Sequence, residues 1–586
     1  MNIAGISFGY HDASCCILSG GRLLAAAQEE RFTRRKQDPS LPRRAFRYCL
    51  QEAGLSIADL DCIAYYENPE KKLSRQIWMG LRKGLSREEA GRLTGRLEVH
   101  QPQRQIRELL GFDGPIEIGE HHLSHAASAY YFSGFAEAAV LTVDGVGEWA
   151  TTTYGRGKGT ELELFEEVQY PDSLGLLYSA ITGYLGFEVN EGEYKVMGLA
   201  PYGQARYVEE LRSLVELGAQ GQYRLNMEYF EFLAEDRMYS DRLADLLGHP
   251  PRQSESELLP FHEDVARSLQ VVLEEVLLDK VRYLHTRVPS GNLCMAGGVA
   301  LNCVANGRLL REGPFARLFV QPAAGDAGTA LGAAAVVHAR LGGGALAPMS
   351  HVYLGSGYSS SQVHHLLANS AAQFGDFQGR EAELAETVAA HLAAGKVVGW
   401  FQGRMEFGPR SLGARSILAD PRDPQMRDRI NALVKKREAF RPFAPAVLET
   451  HCTTHFALDH ASPFMLETCQ VVSALELPAI THVDGSARVQ TVEPQTAPRF
   501  AALLEAFYRR TGCPILLNTS FNMRGEPIVC TPEDAILCFV RSQLDVLVIE
   551  DFVVEREAIP PLWQLFAAAP QQAEPQAVSH LVYTLL

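Results

Sequence analysis

The sequence predicts an α/β protein whose first part is built twice on one plan. Residues 3–29 are predicted to form an apolar strand, a Gly-containing turn, a second strand, a Gly-Gly turn and a third strand. The segment 138–154, AAVLTVDGVGEWATTTY, repeats this design around an Asp-Gly-x-Gly turn. Helical patterns such as EDVARSLQVVLEEVLLDKVRYLHTR follow, with apolar residues every three or four positions. Strands mixed with long helices indicate the α/β class, and the repeated hairpin indicates a duplication.

Two later segments each run from an apolar strand through glycines into a helix. The first is NLCMAGGVALNCVANGRLL (292–310), with Gly297 and Gly298 at the junction, and the second carries Gly325, Asp326 and Gly328. Glycines let a backbone approach a ligand closely, and the amides at a helix N-terminus favour negative charge. One such junction is more often a tight turn packed on a sheet. Two of them beside two Gly-rich hairpins favour nucleotide binding.

The length and one Gly-rich break suggest how the chain divides. At 586 residues the chain should hold two or three compact units. The stretch LGGGALAP at 341–348 interrupts the helical pattern. We therefore predict a first domain at 1–345, a second at 349–558, and a tail at 559–586 that packs back on a domain.

Composition excludes several classes of protein. The formal net charge of −16 disfavours nucleic acid as a partner, although the stretch 31–44 could be either a basic patch or a solvated loop. The 11 cysteines form no CxxC pair, which argues against zinc fingers and disulfides and favours a reducing compartment. No secretory signal begins the sequence, and no apolar run reaches about 18 residues. We expect a soluble cytoplasmic protein with no membrane partner.

One histidine pair is a candidate metal site. On a helix, His121 and His125 would lie on one face, within reach of a single metal ion. The alternative is a polar helix that merely precedes a buried strand. Asp144 and Asp326, each in a Gly-rich turn, favour the metal, and two histidines with carboxylates suit Fe(II), or less well Mn(II), Zn(II) or Mg(II). A second pair, His451 and His455, has no such turn and is predicted to bind no metal.

The second part concentrates cations between residues 400 and 445. Arginine binds phosphate and carboxylate bidentately, so a dense set in an acidic protein suggests a small anionic substrate. Helix-surface ion pairs are the alternative, but Arg410 and Arg441 lie in turns bounded by Gly or Pro. In LLNTSFNMRGEPI, Asn518 and Thr519 either orient a polar head group or cap the strand end, and Arg524 adds a cation.

Taken together, these stretches resemble the NodU/CmcH/TobZ family of O-carbamoyltransferases. The matching motifs occur in family order from the start of the chain to about residue 530: GYHDAS, EERFTRRKQD, HHLSHAASAYY, VDGVGEW, EGEYKVMGLAPYG, GGVALN, GDAGTALGAA, FGPRSLGARSIL, VKKREAFRPFAP and LNTSFNMRGEPIV. The resemblance implies an N-terminal domain of the actin-like ATPase type and a YrdC-like α/β C-terminal domain. It also implies that carbamoyl phosphate and ATP form carbamoyladenylate, whose carbamoyl group passes to a hydroxyl of a small natural product such as an antibiotic, a toxin or a Nod-factor-like molecule.

The resemblance assigns roles to residues at matching positions. The implied metal ligands are His121, His125, Asp144 and Asp326. The adenosine part would contact Gly297, Gly298 and Asn302, and Lys195 would contact phosphate. Carbamoyl phosphate would be held by Arg410, Lys435, Arg441, Asn518, Thr519 and Arg524. His11 and Asp12 face the implied acceptor site, where one of them would act as general base; an unperturbed histidine pKa of about 6.5 suits that role.

Three other functions stay open at this point. A hydrogenase-maturation carbamoyltransferase shares the carbamoyladenylate chemistry, but those chains carry zinc fingers and this one lacks CxxC pairs. A tRNA-modifying enzyme is disfavoured by the net charge. An actin-like regulator that binds nucleotide without turnover would not need the Arg-rich second half. The acceptor, the native metal and the oligomeric state, with a homodimer among the alternatives, are not fixed by the sequence.

Overall fold

The protein folds into two compact units. The computed structural model describes residues 1–83, 99–233, 237–435, 438 and 440–568, and for residues 80–83, 435 and 566–568 the backbone alone is described. The first unit comprises Met1–Glu29 and Gln37–Met349. The second comprises Glu30–Lys36 and the described chain from Ser350 onward. A short segment inside the range that the sequence assigns to the first domain thus belongs to the second unit.

The first unit contains two five-stranded sheets with the same strand order. The strands of the first sheet are β1 (Asn2–Ser7), β2 (Ser14–Ser19), β3 (Arg22–Gln28), β4 (Cys62–Tyr65) and β5 (Ile116–Ile118). Those of the second are β6 (Glu137–Val143), β7 (Ala150–Lys158), β8 (Glu161–Gln169), β11 (Asn292–Ala296) and β12 (Arg317–Val320). The orders are β3-β2-β1-β4-β5 and β8-β7-β6-β11-β12. In both, the first three strands pair antiparallel and the last two join parallel to the central strand. This repeat confirms the predicted α/β class and the duplicated, actin-like architecture.

Helices complete the first unit. They are α2 (Arg43–Glu52), α3 (Pro69–Lys83), α4 (Gln101–Gln105), α5 (His121–Tyr130), α6 (Leu174–Tyr184), α7 (Glu193–Leu199), α8 (Val208–Arg212), α9 (Asp241–Leu247), α10 (Pro260–Arg287), α11 (Cys303–Glu312) and α12 (Thr329–Arg340). A small hairpin pairs β9 (Val215–Leu217) with β10 (Tyr223–Leu225). The predicted strand-to-helix junctions at 292–310 and 318–341 are both present.

The last helix of each half packs on the sheet of the other half. Helix α5 follows β5 but packs on β6 and β11, while α12 follows β12 and packs on β1, β2 and β4. The two helices also pack on each other. They approach so closely that a Cβ added at Gly332 would lie 1.7 Å from the carbonyl oxygen of Ser124. The exchange brings the N-termini of both helices to the centre of the unit.

The second unit is built on one mixed sheet of eight strands in the order β13-β22-β21-β14-β15-β20-β16-β19. Its strands are β13 (Gly375–Asp376), β14 (Val398–Phe401), β15 (Arg415–Ala419), β16 (Ala444–Leu448), β19 (Gln490–Val492), β20 (Ile515–Ser520), β21 (Val546–Ile549) and β22 (Phe552–Glu555). A separate pair joins β17 (Cys469–Gln470) to β18 (Ser486–Ala487). The helices are α1 (Glu30–Thr33), α13 (Ser360–Asn369), α14 (Glu381–Ala393), α15 (Met426–Ile430), α16 (Cys452–His455), α17 (Pro498–Thr511), α18 (Pro532–Arg541) and α19 (Pro561–Ala568).

The start of the predicted tail and two arginines of the basic stretch lie in the second unit. Trp563 of α19 is buried in the core of this unit, while the predicted tail beyond residue 568 lies outside the described residues. In the basic stretch, Arg34 donates to the carbonyl oxygens of Pro527 and Ile528, both at 2.7 Å. Arg31 bonds the carbonyl oxygen of Gly408 at 2.9 Å. These two arginines therefore hold a loop of the fold.

No helix in the described ranges combines the length and apolar composition that a bilayer crossing requires.

Candidate metal centre and donor site

Four side chains predicted as metal ligands lie together at the centre of the first unit. His121, His125, Asp144 and Asp326 are buried, and one ligand atom from each lies within 4.8 Å of the others. The Nε2 atoms of the two histidines are 3.1 Å apart. Asp144 Oδ2 lies 3.3 and 3.6 Å from them, and Asp326 Oδ1 lies 3.6 and 3.4 Å. Two imidazoles and two carboxylates converging on one point fit a divalent cation of the Fe(II), Mn(II) or Zn(II) type.

The duplication explains why these residues meet. His121 begins α5, and Asp326 lies in the turn just before α12, so they occupy matching places in the two halves. Asp144 follows β6 in the β6–β7 turn, and His11 with Asp12 lies in the matching β1–β2 turn. Because each final helix crosses to the other sheet, these four segments lie close together.

Hydrogen bonds outside the cluster fix the carboxylates. The backbone N–H of Gly298 donates to Asp144 Oδ1 at 2.7 Å, which leaves Oδ2 facing the histidines. The hydroxyl of Ser173 donates to the carbonyl oxygen of Gly145 at 2.7 Å and holds the same turn. Thr329 donates to the carbonyl oxygen of Asp326. The cluster is therefore preorganised by its surroundings.

Glu148 holds the N-terminus of α5, the helix that carries the histidine pair. The N-cap residue of α5, Glu120, makes no side-chain cap. Instead, the buried Glu148 Oε1 accepts from the backbone N–H of His121 at 2.9 Å and from that of Asn68 at 2.7 Å. Since Glu148 and Asp144 belong to one turn, this bond links the turn that carries Asp144 to the first residue of the histidine helix.

The electrostatics of the cluster favour charged ligands. Burial raises the pKa of Asp144, but the bonds from His121 and His125 outweigh it and hold that pKa well below its ordinary value. Burial lowers the pKa of His125, yet Asp144 and Asp326 raise it to about 9. The pKa of Asp326 is lowered against the effect of burial, chiefly by His11 and His121. Both Nδ1 atoms of the histidine pair are buried without a hydrogen-bond partner.

His11 and Asp12, which the resemblance assigns to the acceptor site, adjoin the cluster. His11 Nδ1 lies 3.0 Å from Asp12 Oδ2, and His11 Nε2 lies 3.9 Å from Asp326 Oδ2. Asp326 thus faces the histidine pair with one oxygen and His11 with the other. Burial lowers the pKa of His11, but Asp326 and Asp12 raise it to about 10. The raised pKa favours the imidazolium form at neutral pH over the neutral ring that a general base requires.

The residues predicted to contact nucleotide lie in the same unit. Gly297 has φ of +94°, and a Cβ there would lie 2.3 Å from the carbonyl oxygen of Val143. Asn302 caps α11 through a bond from the Ala305 N–H at 3.0 Å, and its amide pairs with that of Gln270 through two bonds of 3.1 and 2.9 Å. Lys195 lies in α7 with Nζ 5.6 Å from the Phe187 ring centroid. No described contact tests their predicted roles.

The predicted donor residues lie in the second unit. Asn518 on β20 is buried; its Nδ2 donates to Gln490 Oε1 at 2.8 Å, and its Oδ1 has no hydrogen-bond partner. Thr519 pairs with Ile417 in the sheet. Arg410 is half-buried and Arg524 exposed. Arg441 Nη1 lies 3.7 Å from Glu438 Oε2, and the side chain of Lys435 lies outside the described residues.

Part of the arginine-rich stretch serves the fold instead of a ligand. Arg415 is fully buried, stacks 3.5 Å over Phe401 and donates to four carbonyl oxygens. Arg404 donates to the carbonyl oxygens of Leu354 and Gly355. Carbonyl oxygens therefore occupy the guanidinium groups of Arg404 and Arg415, and these two arginines stabilise the fold.

Within the described part of the chain, His451 and His455 belong to no group of possible metal ligands. His455 Nδ1 lies 2.7 Å from the hydroxyl of Ser473, and His451 packs on Tyr508 at 4.7 Å.

Three buried polar residues near these sites were not identified from the sequence. Glu148 caps α5, Gln270 orients Asn302, and Glu406 Oε1 accepts three backbone N–H bonds from residues 412, 414 and 415. Their partners are distant in sequence or belong to the backbone, so no spacing pattern marks them.

Comparison with known proteins identifies the family. A family model described as Carbamoyltransferase N-terminus matches residues 2–88 and 102–335, and one described as Carbamoyltransferase C-terminus matches residues 389–556. Nodulation protein NolNO of Sinorhizobium fredii is 40% identical over 582 residues, covering 95% of this chain and 81% of that protein. NolO of Bradyrhizobium diazoefficiens is 42% identical over 472 residues, covering 79% and 83%. An uncharacterized protein of Synechocystis sp. is 46% identical over 599 residues, covering 95% and 97%.

Solved structures give weaker matches. HypF of T. kodakarensis has a TM-score of 0.32 at 13% identity and covers 58% of this chain and 48% of that chain. The ROK hexokinase of Thermus thermophilus has a TM-score of 0.28 at 16% identity, covering 57% and 98%. The family models and the relatives over most of the chain are decisive: the chain belongs to the carbamoyltransferase family and is a carbamoyltransferase.

Proposed function

We propose that the protein is an ATP-dependent O-carbamoyltransferase acting on a hydroxyl of a small natural product. The observation that carries the proposal is the buried cluster of two histidines and two aspartates in a chain matched by both carbamoyltransferase models. The acceptor would be a hydroxylated compound such as an antibiotic, a toxin or a Nod-factor-like molecule.

The first stage would take place in the second unit, which we propose to be YrdC-like. Carbamoyl phosphate is a dianion that needs charge neutralisation, which Arg410, Lys435, Arg441 and Arg524 would supply, while Asn518 and Thr519 orient its carbamoyl end. Carbamoyl phosphate releases its phosphate to water, and the resulting carbamate oxygen attacks the α-phosphorus of ATP. Pyrophosphate leaves, and carbamoyladenylate forms. Adenylate is a better leaving group than phosphate for the next step.

The second stage would take place in the first unit. Gly297, Gly298 and Asn302 would hold the adenosine part, and Lys195 would bind phosphate. The acceptor hydroxyl attacks the carbamoyl carbon, AMP leaves, and the hydroxyl proton passes to Asp12, because the raised pKa of His11 disfavours the neutral ring that could accept it. A divalent cation held by His121, His125, Asp144 and Asp326, with Fe(II) favoured, would supply Lewis-acid polarisation.

The test uses 13C-labelled carbamoyl phosphate with ATP, Fe(II) and a panel of hydroxylated natural products. We expect labelled carbamate ester on at least one compound, together with AMP, phosphate and pyrophosphate, all detected by mass spectrometry. The control omits ATP and should give no ester. Ester formation without ATP, or labelled carbamoyl phosphate left intact with ATP and Fe(II), would contradict the proposal.

A further inference from the structure

The Gly297–Gly298 turn touches both segments that carry the aspartates of the metal cluster. Gly298 N–H donates to Asp144 Oδ1 at 2.7 Å. Gly297 N–H donates at 2.8 Å to the carbonyl oxygen of Ala324, two residues before Asp326. One dipeptide therefore bonds the Asp144 carboxylate directly and holds the backbone just before Asp326.

The turn is also fitted tightly against the strand that leads to Asp144. A Cβ at Gly297 would lie 2.3 Å from the carbonyl oxygen of Val143, the last residue of β6. At Gly298 a Cβ would meet only Asp144 Oδ1, at 3.1 Å. No side chain separates the turn from the ligand, so displacement of the turn reaches the cluster directly.

The bond from Gly298 decides which oxygen of Asp144 is available to a metal. A carboxylate can rotate about its Cβ–Cγ bond, and each oxygen can face the histidines. With Oδ1 held by the amide, Oδ2 stays 3.3 Å from His121 and 3.6 Å from His125. An ordered turn therefore holds the Asp144 carboxylate with Oδ2 toward the histidines, so that the carboxylate need not rotate before a metal binds.

We propose that this turn couples nucleotide occupancy to metal affinity: adenosine bound against Gly297 and Gly298 stabilises the two backbone N–H bonds and thereby tightens metal binding at the four-residue cluster. The inference rests on the proposed function, which puts the adenosine part of the substrate at this turn. Linkage makes the effect reciprocal, so the metal must tighten adenosine binding by the same factor. The first unit then forms its complete site only when both are bound.

The experiment measures Co(II) affinity by absorption spectroscopy, with and without saturating adenosine. Adenosine lacks phosphates, so no direct phosphate–metal bond can produce the coupling. We expect a Kd for Co(II) about fivefold lower, or more, in its presence. An equal factor should appear when adenosine binding is measured by equilibrium dialysis with and without Co(II).

Two substitutions isolate the N–H group. Gly298→Pro removes it, at the first position of the turn Gly298–Leu301, where the ring of proline is tolerated. Gly298→Ala retains it and adds a methyl group. Proline should abolish the adenosine effect on Co(II), and alanine should retain it. Circular dichroism and thermal unfolding verify that both variants fold, and the wild-type measurement decides the matter if the proline variant does not.

The possible outcomes separate failure of the coupling from failure of the proposed function. If adenosine binds but the Kd for Co(II) is unchanged, the coupling is wrong while the proposed function stands. If Gly298→Pro folds and keeps the full effect, the N–H bond is not the link and the inference is overturned. If adenosine does not bind at all, the coupling fails together with the adenosine role of the turn, whereas carbamoyl transfer is still tested by its own assay.

Discussion

In the candidate metal centre, histidine and aspartate side chains are buried together. They can be accommodated because each aspartate uses its two carboxylate oxygens for two different partners. Asp326 faces the histidine pair with Oδ1 and His11 with Oδ2. Asp144 divides its oxygens between the Gly298 amide and the histidines. Burial alone would neutralise such groups, but these bonds keep the pKa values of both aspartates low. The aspartates therefore offer charged oxygens to a cation.

The variant Asp326→Asn tests whether the cluster binds a cation. Removing one charged ligand should raise the Kd for Co(II) by more than the roughly 10- to 100-fold that loss of a supporting bond causes. Metal content after dialysis measures the effect. The control Glu193→Gln neutralises a half-buried carboxylate of the same unit that lies outside the cluster and should change little. Equal metal content in both variants would contradict the site.

The variant Glu148→Leu tests the remote cap of α5. Without the bonds to the His121 and Asn68 amides, α5 should shift relative to Asp144, and the affinity for Co(II) should fall about 10- to 100-fold. Glu148→Gln keeps an acceptor oxygen and should restore most of the affinity. A Co(II) absorption spectrum identical to wild type in Glu148→Leu would rule out this positioning role.

The sequence identified the cluster and missed its supports for a physical reason. His121 and His125 show helical spacing, and Asp144 and Asp326 follow strands in Gly-rich turns, so all four carry local signals. Glu148 bonds backbone amides of residues 68 and 121, which no pattern in its own neighbourhood reveals. The raised pKa of His11 likewise depends on Asp326, which is distant in sequence.

At the scale of elements, the exchange of α5 and α12 between the two sheets creates the site. Both hairpins and both strand-to-helix junctions were predicted from local patterns. The crossing of each final helix to the other sheet was not, because it depends on contacts between residues about two hundred positions apart. Gly332 and Gly5, which permit the close approach of α12 to α5 and β1, show where that packing is tightest.

Gly332→Ala tests this helix contact. Alanine normally stabilises a helix relative to glycine by up to about 1 kcal/mol, but here its Cβ would lie 1.7 Å from the Ser124 carbonyl oxygen. We expect a net loss of about 2–3 kcal/mol in the free energy of unfolding, measured by denaturant titration. Gly291→Ala, where nothing lies within 4 Å of the added Cβ, is the control. A stabilised Gly332→Ala would show that the helices are not packed as described.

In the second unit, the raised pKa of His460 predicts how its contribution to stability depends on pH. The bond to Glu467 raises the pKa of His460 to about 9, above its ordinary 6.5. The folded pKa exceeds the unfolded one, so the contribution to stability is fully present below about pH 6.5 and is lost as pH rises through about 9. NMR titration should give a pKa near 9 for His460, and Glu467→Gln should return it toward 6.5. An unchanged pKa in Glu467→Gln would contradict the pairing.

At the scale of the whole molecule, the proposed function divides the chemistry between two units. The first unit carries the candidate metal cluster and the Gly297–Gly298 turn that we propose to bind nucleotide, and the second carries the candidate donor residues. The sequence predicted a two-part α/β chain, but not that Glu30–Lys36 groups with the second unit, since that depends on bonds such as those of Arg34 to residues 527 and 528.

The division predicts that the two stages can be separated by mutation. Arg441→Met should prevent activation of carbamoyl phosphate, because a dianion then lacks a neutralising guanidinium. Asp326→Asn should leave activation intact and abolish transfer to the acceptor. Arg509→Met, which removes an exposed ion pair with Glu386, is the matched control and should affect neither stage.

The most direct test of the account is pyrophosphate release from ATP, followed with and without carbamoyl phosphate. We predict release that depends on carbamoyl phosphate in the wild type and in Asp326→Asn, and release reduced at least about 100-fold in Arg441→Met. Pyrophosphate release independent of carbamoyl phosphate, or equal loss of release in Asp326→Asn and Arg441→Met, would contradict the two-stage division.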